Sequence, residues 1–165
     1  MKYKKLSLLA SILLSTTILS ASSVQKTAFV GVATSTLENE VLEEFVLGWG
    51  VDKTYNNNFI FGFDNEYSFG KAKFDSNEKS NVNSIIFDLK TGYALSKNVS
   101  LFALGSVIGQ YIESDAAYGF GGGVGMDYSF NDSVLIDVRY KAYSMKHTLF
   151  DYNYEQMLFS LRYKF

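Results

Sequence analysis

From Phe59 to Phe69 the side chains alternate in character. Phe59, Phe61, Phe63, Tyr67 and Phe69 fall on one face, broken only by Asn65, and Ile60, Gly62, Asp64, Glu66 and Ser68 fall on the other. Successive side chains of a strand point to opposite sides. A period of two therefore predicts a strand with an aromatic face and a small, acidic face. The division recurs five times. Phe45, Leu47, Trp49 and Val51 oppose Glu44, Val46, Gly48, Gly50 and Asp52; Ile85, Phe87, Leu89 and Tyr93 oppose Ile86, Asp88, Lys90 and Gly92. Tyr118, Phe120, Val124, Met126, Tyr128 and Phe130 oppose Gly119, Gly121, Gly123, Gly125, Asp127 and Ser129. Val134, Ile136, Val138 and Tyr140 oppose Leu135, Asp137, Arg139 and Lys141, and Met157, Phe159, Leu161, Tyr163 and Phe165 oppose Gln156, Leu158, Ser160, Arg162 and Lys164. Two weaker segments, Thr27 to Ser35 and Val99 to Tyr111, complete the set. In Val99 to Tyr111 both faces are apolar, and the pattern assigns neither.

Eight such segments, each near the roughly 9–11 residues a tilted strand needs to cross a bilayer, predict an all-β, eight-stranded antiparallel up-and-down transmembrane β-barrel. The connections are expected to alternate. Thr54 to Asn58, Ser96 to Asn98 and Asn131 to Ser133 read as tight turns of Asn, Asp and Ser. Thr36 to Val41, Lys71 to Asn81, Ile112 to Ala117 and Met145 to Asn153 read as longer loops. Short turns on the periplasmic side and longer loops outside is the outer-membrane arrangement.

A soluble lipocalin-like barrel would show the same period with its apolar face inward. Two features favour lipid outside. The aromatic face carries too much volume for an eight-stranded lumen, and the opposite face combines glycine with charges of both signs. Those are Glu44, Asp52, Asp64, Glu66, Asp88, Asp127 and Asp137 against Lys90, Arg139, Lys141, Arg162 and Lys164. A lone Arg or Lys facing mid-bilayer lipid costs about 2–4 kcal/mol, whereas inside the barrel opposite charges can pair. The aromatics also form two bands. Phe59, Tyr93, Tyr128, Phe130, Tyr163 and Phe165 are expected at the turn ends, and Tyr67, Phe69, Tyr118, Phe120 and Tyr140 at the loop ends, as interfacial girdles require.

Residues 1–23 read as a cleavable signal peptide: Lys2, Lys4 and Lys5, then an apolar run from Leu6 to Leu19, then Ser20, Ala21, Ser22 and Ser23. That run is roughly 14 residues, short of the roughly 20 of a spanning helix. Residues 24–165 then form the barrel domain. Loss of three lysines leaves twelve basic against seventeen acidic side chains, a balance that excludes a nucleic-acid partner. Cysteine is absent, which removes disulfides, thiol catalysis and Cys-based metal sites, and proline is absent, so every residue can donate to a ladder.

The run Gly121-Gly122-Gly123-Val124-Gly125-Met126-Asp127-Tyr128, the Asn131-Asp132 turn and Ile136-Asp137-Val138-Arg139-Tyr140 resemble the penultimate hairpin of the OmpA/OmpX-like outer-membrane β-barrel family. Leu161-Arg162-Tyr163-Lys164-Phe165 is similar to that family's C-terminal signal. The resemblance implies a Gram-negative outer membrane, outer-membrane lipid and lipopolysaccharide as surroundings, the barrel-assembly machinery as a partner in biogenesis, and a monomer. It says little about function, because the fold serves many roles.

No catalytic, cofactor or metal residues are assigned. A lipid A deacylase of this fold would need Ser, His and an acid within reach of one another. The one histidine, His147, has Ser144 before it and Glu155 after it, but Leu149 stands where a His-x-Ser motif needs its serine. The interior charges could line a narrow porin-like passive channel, but pairs such as Glu66 or Asp137 with Arg139 or Lys90 read better as a plug. The glycines from Gly119 to Gly125 are lumen-facing small residues and not a phosphate loop, since no helix follows. The first outer loop (Glu38, Glu40, Glu43, Glu44) and the second (Lys71, Lys73, Asp75, Glu78, Lys79) are charged and could contact the medium. The expected role is structural or surface-interacting, not enzymatic, with the passive channel and then a lipid-A-modifying enzyme as alternatives.

Overall fold

The computed structural model describes residues 24–37, 40–73, 79–113, 115–147 and 150–165. The proposed signal segment and the loop residues Glu38, Asp75 and Glu78 lie outside them. Eight strands follow one another, β1 (Gln25–Leu37), β2 (Glu40–Thr54), β3 (Phe59–Lys73), β4 (Lys79–Ala94), β5 (Val99–Ile112), β6 (Asp115–Ser129), β7 (Val134–Lys146) and β8 (Asp151–Lys164). Each pairs antiparallel with its neighbours, and β8 returns to β1 to close the barrel. The seam runs from Thr27 opposite Lys164 to Leu37 opposite Tyr154. The Phe165 amide extends it by donating to the Lys26 carbonyl at 3.1 Å. Closure leaves no edge strand with unpaired backbone, the condition for crossing lipid with strands.

The strands are longer than the pattern predicts, 13 to 16 residues. The four supposed loops contribute most of their residues to strand ends, so all seven connections span only two to five residues, and the expected contrast in length is absent. The reason lies in the outward faces near the loop end, where Thr34, Glu43, Lys71, Asn83, Ser144 and Asn153 replace the apolar residues. Pairing continues past the apolar belt, and a polar outward face there is hidden from a reading that follows hydrophobic alternation. The three turns hold as expected. Asn131 Oδ1 accepts from the amides of Ser133 and Val134 at 2.9 and 2.8 Å, Ser96 Oγ from Asn98 and Val99 at 3.2 and 3.1 Å, and Asn58 takes the left-handed φ of 64°.

Face assignment agrees with the period-two reading in every strand it covered. The unassigned strand β5 turns Phe102, Leu104, Ser106, Ile108 and Gln110 inward and Leu101, Ala103, Val107 and Tyr111 outward. Both girdles point out, with Phe59, Tyr93, Tyr128, Phe130 and Tyr163 exposed at the turn end and Phe69, Tyr118 and Phe120 toward the loop end. Tyr140 departs from the expected band. It sits at the middle of β7, and its hydroxyl donates to Glu155 Oε2 of β8 at 2.9 Å.

The lumen-facing glycines are small because large side chains of neighbouring strands occupy their space. A Cβ on Gly125 would lie 2.4 Å from the Phe102 ring, one on Gly121 2.5 Å from the Tyr143 ring, and one on Gly48 2.1 Å from Phe29. Gly105 points outward and has nothing within 4 Å of such a Cβ. Gly48→Val should therefore destabilise the barrel by about 1–3 kcal/mol through overpacking, while Gly105→Ala should be nearly neutral. Urea unfolding in detergent micelles, followed by loss of heat-shifted gel migration, measures both. Equal tolerance at the two positions would contradict this packing.

Candidate functional site: a filled lumen

The inward faces of β3, β4, β7 and β8 put charged residues at matching heights, because pairing places Asp64 opposite Asp88 and Asp137 opposite Ser160, with Arg139 and Arg162 adjoining. Arg139 is fully buried and grips three carboxylates. Its Nε and Nη2 donate to Asp137 Oδ1 and Oδ2 at 2.8 and 2.9 Å, Nη2 to Asp64 Oδ2 at 2.5 Å, and Nη1 to Asp88 Oδ2 at 3.2 Å. Arg162 donates to Asp64 Oδ1 and Oδ2 at 3.1 and 3.0 Å, and its Nε lies 3.1 Å from Asp137 Oδ2. Two planar guanidinium groups thus interleave with two carboxylates, using the fork geometry that an ammonium lacks. Aromatic rings flank them. Arg162 stands 4.0 Å over Phe29 and Arg139 5.3 Å over Phe102.

Two lysines extend this centre in opposite directions. Toward the loop end, Lys141 donates to Glu66 at 2.8 Å and to Asp88 at 3.3 Å, and Ser106 also donates to Asp88 at 2.6 Å. Toward the turn end, Lys90 donates to Asp127 at 2.8 Å and Asp52 at 3.2 Å, and its ammonium stands 4.2 Å from the centre of the Phe102 ring. The expected pairing of Asp137 with Arg139 is present. Glu66 pairs instead with Lys141, and Lys90 with Asp52 and Asp127, because strand tilt staggers the strands and partners are set by height and not by sequence distance.

Above Lys141 the chemistry changes. Among the described residues Glu44 has no cation in contact. Its carboxylate accepts from Ser68 at 2.8 Å, Tyr154 at 2.6 Å, Gln156 at 3.3 Å and from Ser35. Gln110 joins Ser84 and Tyr152 at 3.0 and 2.7 Å. Around and beyond these, Leu37, Leu42, Ala72, Val82, Ile86, Ile108, Ala117 and Met145 form a buried apolar cap across the loop end. The alternation reading missed this cap. Its residues share a face with the lumen charges, and the only sequence signal is that inward positions turn apolar near the loops. At the turn end lies a vestibule of about 80 Å³ lined by Asp52, Lys90, Asp127 and Lys164, room for a few waters at most.

The residues considered for catalysis lie at the loop end of β7 and β8. Ser144 and Glu155 both face outward, but Ser144 pairs with Asn153 and Glu155 with Ala142. His147 lies in the β7–β8 connection with its ring 5.0 Å from that of Phe150. The His-x-Ser spacing read backwards from Ser144 meets Ala142, which has no base to offer.

Residues 6–165 match the family described as outer membrane protein beta-barrel domain. The chain belongs to that family. Membership places it in the Gram-negative outer membrane. Among solved structures it is similar to Neisserial surface protein A, at 16% identity over 87% of this chain and 98% of that one, with a TM-score of 0.59. It is also similar to Ail, the attachment invasion locus protein of Yersinia pestis, solved with the heparin analogue sucrose octasulfate, at 15% identity over 87% and 99%, with a TM-score of 0.58. A third similar fold is a de novo designed transmembrane β-barrel, at 14% identity over 86% and 95%, with a TM-score of 0.52. At these identities the likeness concerns the fold. None of the curated proteins matches the sequence.

As a member of this outer-membrane family the chain must satisfy its inward charges without help from lipid. Breaking a buried pair by removing one partner costs about 3–5 kcal/mol. Arg139→Met leaves Asp64, Asp88 and Asp137 short of a cation and should lower unfolding stability by about that amount. Arg139→Lys should recover only part, since an ammonium cannot hold Asp137 with two parallel bonds. Equilibrium unfolding in lipid vesicles measures the order wild type, Lys, Met; a Met variant as stable as wild type would contradict it.

Proposed function

We propose that this is a sealed, monomeric, non-enzymatic barrel that serves as a structural and surface-presenting element of the outer membrane, with its turn end facing the periplasm after removal of residues 1–23. The supporting observation is the lumen. Arg139, Arg162, Lys90 and Lys141 are paired to carboxylates and buried, and the apolar cap lies between them and the loop end. An ion travelling inward would have to part the cap and then separate the Arg–Asp lattice, so the described residues offer the passive-channel reading no open path. For the enzymatic reading, Ser144 pairs with Asn153 and the His147 ring lies against Phe150. What can act on the surroundings is therefore the outside, namely the strand ends and connections at the loop end and the outward belt.

The reading predicts a flat record in planar bilayers. Purified protein should give no discrete conductance steps, and Arg139→Met or Asp137→Asn should be the variants that introduce leak. Regular steps in wild type, with ion selectivity altered by those substitutions, would assign the channel function instead. Lipid A mass spectra from cells with and without the protein should be identical, and a lost or gained acyl chain would restore the enzymatic alternative.

A further inference from the structure

The upper lumen is short of positive charge. Above Arg139 the described residues place Glu44 and Glu66 in the interior and share Asp88 between Arg139 and Lys141, so Lys141 is the one buried cation there. Glu44 is answered by hydrogen bonds alone. Three buried oxygens near Lys141 are not answered at all. Glu66 Oε1, Gln156 Oε1 and Tyr143 Oη meet no hydrogen-bond partner among the described residues. Lys141 ties them to one level. Its ammonium donates to the other oxygen of Glu66 at 2.8 Å, Gln156 stands directly opposite it on β8, and Tyr143 is the next inward residue above it on β7. The Tyr143 ring lies 5.6 Å from that of Tyr154, whose hydroxyl is 3.4 Å from Gln156 Nε2. The Gln156 carboxamide can sit only one way round. Its Nε2 must face the Glu44 carboxylate, 3.3 Å away, so Oε1 is turned from it.

We propose that Glu66, Gln156 and Tyr143 hold one alkali-metal cation, sodium or potassium, inside the barrel. A carboxylate, an amide and a phenol oxygen are all hard donors, suited to an ion of that class. A water molecule would give hydrogens to Glu66 and Gln156 but would leave the charge as it is. A proton on Glu66 would answer only one of the three atoms. Calcium takes roughly six to eight oxygens and magnesium keeps several waters, more than these side chains supply beside Lys141. A single positive charge matches both the donor set and the deficit, and a buried carboxylate left without one is costly. The proposal goes beyond the sealed-barrel reading. Failure of that reading shows as conductance, and failure of this one as stability indifferent to the cation.

Equilibrium urea unfolding in detergent micelles tests this at fixed ionic strength, with sodium chloride, potassium chloride or N-methyl-D-glucamine chloride as the salt. The wild-type midpoint should be higher in sodium or potassium than in the bulky organic cation, which cannot enter. Above the dissociation constant, each tenfold rise in the preferred ion should lower the unfolded-to-folded ratio about tenfold. Glu66→Gln removes the charge and should abolish that dependence. Tyr143→Phe keeps the ring against Tyr154 and removes only one oxygen, so it should fold, shift on heated gels as wild type does, and show a weakened dependence. It carries the test should Glu66→Gln fail to fold. Equal wild-type midpoints in the three salts, or an undiminished cation dependence in Tyr143→Phe, would overturn the proposal. A midpoint that follows pH but not the alkali ion would also overturn it, assigning the missing charge to a proton.

Discussion

Arg139 reaches three carboxylates from three strands while excluded from solvent, and the architecture can be read outward from that fact. An eight-stranded barrel is too narrow to hold bulk water and too polar along this inward face to be left unpaired. Its interior must therefore be a closed lattice in which each charge is answered at the same height. Arg139 and Arg162 supply the planar forks, Asp64 and Asp137 the bridging acids, and Phe29 and Phe102 the flat surfaces that keep the cations in place. The glycines opposite Phe102, Tyr143 and Phe29 exist because that filling leaves no room for a Cβ. A buried ionic lattice need not be more stable than an apolar one. Here it fixes which strand neighbours which and at what stagger, since a slip of one residue would send every charge into lipid.

The alternation of aromatic and small or charged residues was enough to place six strands, their faces and the membrane setting. It was enough because each requirement is a local one, a side chain assigned to lipid or lumen by its neighbours two positions away. Phe59 to Phe69 and Met157 to Phe165 are the clearest instances. Three features escaped it. Strand ends beyond the apolar belt are polar outside, so Thr34, Glu43 and Asn153 look like loop. Partner choice in the lattice depends on tilt and stagger, which is why Glu66 meets Lys141. The cap of Leu42, Val82 and Met145 shares a face with the charges and shows itself only once the strands are wound together.

Asn65 departs from the alternation in another way. It interrupts the aromatic face of β3 at mid-height, is fully covered, and among the described residues neither amide atom is hydrogen-bonded. Trp49 lies opposite it on β2, 5.9 Å from Phe63 by ring centroids.

Whether the lumen is a rigid, sealed lattice is most directly tested by nitrogen-labelled arginine NMR of the protein in lipid bilayers. Guanidinium groups held as Arg139 and Arg162 are should show separate Nη resonances with hindered rotation, slow exchange with solvent and through-space contacts to the Phe29 and Phe102 rings. Averaged, rapidly exchanging Nη signals for both residues would mean that water and motion reach the centre of the barrel, and the account given for its interior would be wrong.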